Sequence, residues 1–147
     1  MSDPEPESVV TVRTDAGFRS EVMANGFPLI ADEPIEVGGT NLGPTPYDYL
    51  LVALGACTSM TLRMYADRKG WPLESVTTRL SHTKVHARDC EHVETDTGMV
   101  DHIDRSIRIE GDLDSEQRDR LLEIADRCPV HRTLHGELVV DTVLAGA

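Results

Sequence analysis

The segment from Tyr47 to Leu62 (YDYLLVALGACTSMTL) holds a single charged residue, Asp48, and is apolar on almost every side of a helix. Pro46 suits a first helical turn, and Gly70 with Pro72 stops the run, so a helix is expected over Pro46 to Lys69. At ~1.5 Å per residue it is about 35 Å long. A helix with no polar face has to be buried all round. The chain has 147 residues, the size of one domain, and a domain of that size cannot easily enclose such a helix alone. A second subunit is therefore expected, with Gly55 and Ala56 permitting close packing.

The remaining sequence supplies strands and shorter helices around this element. Residues 1–7 are rich in Pro and acid and are expected to be a disordered arm, leaving 8–147 as one domain. Val9 to Arg13, Phe18 to Ala24 and Phe27 to Ala31 form a three-stranded meander, its second turn marked by Asn25-Gly26. The stretch from Gly38 to Pro46 is a Gly/Pro-rich loop without the Lys-Ser/Thr or G-x-G-x-x-G pattern of a phosphate cradle. A strand is expected over Val76 to His86, an acidic irregular connector over 87–101, and a half-buried strand in which Ile103, Ile107 and Ile109 alternate with polar residues. Asp114 and Gln117 open an amphipathic helix whose apolar face is Leu121, Leu122, Ile124 and Ala125. Cys128 then reads as the N-cap of a short helix, Pro129 to His135, closed by Gly136. Leu138 to Leu144 is expected to be the last strand.

Charge and cysteine usage narrow the function. The formal net charge is −12, and only Lys69 and Lys84 are lysines, so twelve of the fourteen basic residues are arginines. That balance argues against nucleic acid and anionic membrane surfaces, which need clustered cations. No stretch is long and apolar enough for a transmembrane helix, and the acidic N-terminus does not resemble a signal peptide. A cytoplasmic location is expected. There, three cysteines (Cys57, Cys90 and Cys128) suggest redox or catalytic use more than a disulfide framework.

Cys57 lies in the middle of the apolar helix, where a small core residue is the plain alternative to a reactive one. Cys128 differs. At a helix N-terminus a thiolate faces unpaired N–H groups and the positive end of the dipole, and Arg127 and Arg132 add positive charge. Two cysteines on separate helices, one buried and one electrostatically activated, suit a dithiol–disulfide cycle.

Gly43-Pro44-Thr45-Pro46 leading into Leu54-Gly55-Ala56-Cys57-Thr58, then Cys128-Pro129-Val130-His131 after an amphipathic helix, resembles the OsmC/Ohr family. Ala31-Asp32-Glu33-Pro34 and Gly38-Gly39-Thr40 are similar to one bacterial and archaeal branch of it. The likeness spans roughly residues 8–144. It implies an α+β fold assembled as an intertwined homodimer, with two long central helices wrapped by antiparallel-rich sheets. It implies a thiol peroxidase that reduces organic hydroperoxides and is recycled by an external dithiol, with no cofactor and no metal. The nucleophile then falls on Cys57 and the resolving cysteine on Cys128. The arginine that holds the nucleophilic thiolate matches Arg19 best, with Arg13 second.

One position departs from the family pattern. The peroxidases place a glutamate directly after the proline, and here that residue is Tyr47. The nearest acid is Asp48, nine residues before Cys57, which at ~100° per residue is the opposite helical face. Asp48 would replace the glutamate only through a bend or across subunits; otherwise it complements the helix dipole. A dimeric stress or small-molecule-binding protein with little turnover is the alternative function. His82, His86, Cys90 and His92 form a second cluster, but on a strand His82 and His86 stand about 13 Å apart, too far to share a metal without a bend. His131 is expected at the surface, with a role as proton partner of Cys128 as the alternative.

Overall fold

A computed structural model describes residues 6–89 and 98–146. Of the N-terminal arm, residues 1–5 lie outside the described residues, as do Cys90 and His92. The chain forms two compact units, Met1–Leu50 and Leu51–Ala147.

In the first unit β1 (Val10–Thr14), β2 (Ser20–Ala24) and β3 (Phe27–Ala31) form an antiparallel sheet in that order, the expected meander. Asn25 (φ 49°) and Gly26 (φ 92°) make the two-residue turn between β2 and β3; both need the left-handed region, as a twist-matched hairpin turn demands. The loop after β3 is organised by Asp32, which is 2% exposed. Its carboxylate accepts from the main-chain N–H groups of Glu33, Thr40 and Leu42 and from the Thr40 hydroxyl. Gly39 is glycine because the start of the same loop passes so close: a Cβ there would lie 2.0 Å from the Glu33 carbonyl oxygen. These bonds gather the glycine-rich loop around a carboxylate.

Helix α1 spans Pro46–Lys69, as expected. Thr45 and Asp48 close its N-terminus reciprocally. Asp48 Oδ2 accepts the Thr45 N–H at 2.9 Å and Thr45 Oγ1 accepts the Asp48 N–H at 3.1 Å, a capping box. At the other end Gly70 (φ 70°) donates to the Asp67 carbonyl and Trp71 to the Ala66 carbonyl, the two bonds of a Schellman motif.

From Leu51 onward α1 belongs to the second unit. There β4 (Leu73–His86) pairs with β5 (Met99–Gly111) in a long antiparallel ribbon. β5 begins at Met99, so Met99–Asp101, expected in the connector, are strand, paired with Lys84–His86. Helices α2 (Ser115–Ala125) and α3 (Pro129–His135) follow. The Asp114–Gln117 capping box is present in full. The core gathers Leu62 and Ala66 of α1, Leu73, Leu113, and Leu121, Ile124 and Ala125 of α2. Leu122, expected on that face, is exposed because it falls to the outer side of the turn. Gly55 brings α1 onto the ribbon: a Cβ there would stand 2.7 Å from Leu80 Cδ1.

Two apolar surfaces stay uncovered within one chain. Val52, Met60 and Met64 of α1 are exposed, so the helix is not enclosed by its own chain. Residues 138–144 form no strand, contrary to expectation. They are rich in Val and Leu, a strand-like composition, but they pair with no strand among the described residues, and Leu138, Val139, Val140, Val143 and Leu144 are 66–98% exposed.

Candidate functional site

Thr58 is the hub of the site. It is fully buried on α1, and its hydroxyl donates to the Leu54 carbonyl one turn back at 2.7 Å. With that proton committed, Oγ1 acts as an acceptor toward its other neighbours. Arg105 Nη1 donates to it at 3.0 Å, and the Cys128 sulfur lies 3.7 Å away, in position to donate its S–H.

Cys128 itself is fully buried and is the N-cap of α3, as its position before Pro129 predicted. Its sulfur takes the place of the usual capping oxygen, accepting the His131 N–H at 3.4 Å. The sulfur is thus held between a main-chain donor of α3 and the threonine of α1. Cys57 is the residue before Thr58, a rotation of about 100° around α1, and is half-buried.

Arg105 is a further member of the site, outside the residues expected from sequence. It is only 12% exposed, and its other terminal nitrogen, Nη2, meets Asp126 Oδ1 at 2.9 Å. Its signal was its phase: on β5 it shares the inward face with Ile103, Ile107 and Ile109, an arginine where an apolar residue is expected. A cation on that face needs polar partners waiting for it, and Thr58 and Asp126 supply them.

His131 is half-buried, not a surface residue, and its ring stacks on His135 with centroids 4.4 Å apart. Burial holds its pKa below the usual imidazole value, reinforced by the charge of Arg105 and by His135, while Asp126 opposes the shift.

The remaining expected site residues lie in the first unit. Arg19 is exposed on the segment leading into β2. Arg13, its runner-up, is exposed and pairs with Asp15 at 3.1 Å. The Asp48 carboxylate is engaged by the main chain of Thr45 at the start of α1. On the β4–β5 ribbon, His82 Nε2 meets Asp101 at 2.8 Å. Among the described residues no group of three or more His, Cys, Asp or Glu side chains is placed to hold a metal, and no helix is long and apolar enough to cross a membrane.

An α+β chain with antiparallel sheets, a long capped helix carrying Cys57 and a second cysteine at the mouth of a short helix defines a class. The model of the OsmC-like protein family matches residues 39–143, and the chain belongs to that family. Solved structures carry the same fold. The organic hydroperoxide resistance protein OsmC of Legionella pneumophila is 18% identical, with TM-score 0.67 over 91% of this chain and 93% of that one. The OsmC-like protein of Mycoplasma pneumoniae is 19% identical, with TM-score 0.66 over 92% and 90%. OhrB of Bacillus subtilis, an organic hydroperoxide resistance protein, is 18% identical, with TM-score 0.60 over 88% and 90%. No curated protein sequence matches the chain.

Proposed function

We propose that this protein is a cysteine-based peroxidase for organic hydroperoxides, with Cys57 as nucleophile and Cys128 as resolving thiol. The observation that carries the reading is the packing of the Cys128 sulfur on Thr58, the residue next to Cys57. Family membership and the names of the relatives, organic hydroperoxide resistance proteins, support the same chemistry.

The Cys57 thiolate attacks the terminal peroxide oxygen and the O–O bond breaks. The sulfur becomes a sulfenic acid, and the alkoxide takes a proton and leaves as the alcohol. The Cys128 thiol attacks the sulfenic sulfur, forming the disulfide and releasing water. An external dithiol then exchanges with the disulfide, is itself oxidised, and returns both thiols. Arg19 is assigned to the Cys57 thiolate. Asp48 is the candidate acid for orienting Arg19, in place of the glutamate absent at Tyr47.

The working unit in this reading is a homodimer. Its support is the exposed apolar face of α1 and the unpaired strand-like segment 138–144, both of which a second copy would cover. A second reading, a family member that binds small molecules with little turnover, is favoured by one observation: Asp48 is already occupied in capping α1.

Consumption of cumene hydroperoxide in the presence of a dithiol tests the proposal. The wild type should turn over and Cys57→Ser should not. Cys128→Ser should consume one equivalent and stop. Undiminished turnover by Cys57→Ser would overturn the assignment, and absence of turnover by the wild type would favour the second reading.

A further inference from the structure

We propose that the cavity between β5 and α3 is a binding site for a small organic carboxylate with an apolar body. The cavity measures about 410 Å³, within the size range of small-molecule sites. Leu54, Ile103 and Leu134 form an apolar wall, and Arg105, His131 and His135 present nitrogen donors. In a chain of net charge −12 this is a local reversal of sign.

The acids nearby do not cancel it. Asp101 lines the cavity but is engaged by His82 at 2.8 Å and Lys84 at 3.5 Å. Asp104 stands 3.7 Å from His102 Nδ1. Asp126 meets Arg105 through Nη2 alone, and its carboxylate is 69% exposed to solvent. A guanidinium has five N–H donors in a planar fork that matches a carboxylate. Its bonds to Thr58 and Asp126 leave donors for a ligand. The two stacked imidazoles line the same wall, and His131 adds charge when protonated. The depressed pKa of His131 reflects a buried, positive surrounding, which a bound anion would relieve. The apolar wall decides the ligand's body: a bare phosphate would leave Leu54, Ile103 and Leu134 uncovered.

This inference goes beyond the peroxidase reading. Its ligand is not a peroxide and its binding is read at equilibrium, so its failure leaves that reading untouched. The groups facing His131 are Arg105 and His102 of β5, His135 of α3, Asp101, and Asp126 after α2.

Isothermal titration of the full chain with octanoate, octanol and inorganic phosphate provides the test. Octanoate should bind saturably at one site per chain, with octanol and phosphate each at least about tenfold weaker. Binding should tighten severalfold from about pH 8 to about pH 6 as His131 takes up a proton beside the bound anion. Arg105→Gln should weaken octanoate about tenfold. The variant His131→Gln should keep binding at high pH and lose the tightening. Absence of octanoate binding, equal binding of octanol or phosphate, or binding unchanged in both variants would overturn the proposal.

Discussion

Thr58 Oγ1 stands 3.7 Å from the Cys128 sulfur and 3.0 Å from Arg105 Nη1, so one buried hydroxyl joins α1, β5 and the start of α3. Thr58→Val keeps the shape but leaves an arginine N–H and a thiol without their acceptor. A buried donor left unpaired costs about 1–3 kcal/mol. Thr58→Ser keeps the oxygen and loses one methyl, about 0.8 kcal/mol. Urea denaturation should therefore rank wild type above Thr58→Ser, and Thr58→Ser above Thr58→Val. The reverse order of the two variants would mean that packing, not hydrogen bonding, makes Thr58 matter.

Asp48 has two candidate duties that mutagenesis separates. As a capping residue it acts together with Thr45, so Asp48→Ala and Thr45→Ala should each destabilise the chain by about 0.5–2 kcal/mol. As an orienting acid, Asp48→Asn should lower kcat/KM toward an organic hydroperoxide about tenfold or more, with Thr45→Ala leaving it near wild type. Equal effects of Asp48→Asn and Thr45→Ala on kcat/KM would restrict Asp48 to capping.

Asp32 makes the loop at the end of β3 acid-sensitive. Hydrogen bonding from Thr40, above all its hydroxyl, overcomes the opposing effect of burial, and the main-chain N–H groups of Glu33, Leu42 and Thr40 add to it. Together they lower the carboxyl pKa from 3.8 to about 2. A pKa depressed in the folded state favours folding above the unfolded value of 3.8, and that contribution is lost as pH falls through about 2. Asp32→Asn should therefore be less stable than wild type at neutral pH, with the gap closing between about pH 4 and pH 2. Chemical denaturation across that range measures it; a gap independent of pH would show that the loop does not depend on the ionised form.

The uncovered face of α1 predicts the state of assembly. Met60→Glu/Met64→Glu changes two residues exposed on the single chain. For a monomer, such surface changes shift stability by about 0.5 kcal/mol or less. In the proposed dimer they place charge in an apolar interface. Sedimentation equilibrium should find a dimer for the wild type and a monomer for the variant, whereas a monomeric wild type would remove the dimer from the proposal.

Legibility in the sequence followed how local each signal was. Pro46, Gly70 and the unbroken run between them set α1 at both ends; Asn25-Gly26 set its hairpin; Asp114 with Gln117, and Cys128 with Pro129, set the starts of α2 and α3. Each rests on bonds within a few residues of chain. Leu138 to Leu144 failed for the opposite reason. Its β-branched composition suits a strand, but a strand exists only beside another strand, and the described residues of one chain pair none with it.

The candidate site divides the same way. Sequence by itself determined the chemical types and their local settings: a cysteine inside an apolar helix, a cysteine capping a short helix, and an excess of acids among which nearly every cation is an arginine. Tertiary structure alone decided which of those arginines meets Thr58, the hydroxyl on which the Cys128 sulfur packs. Arg105 is 47 residues from Thr58, 21 from Asp126 and 23 from Cys128, and no local spacing relates them. Only the antiparallel pairing of β4 with β5, and the packing of α1 and α2 around it, bring them together. A buried guanidinium is stable only where polar partners from distant segments meet it, and that meeting is a property of the folded chain.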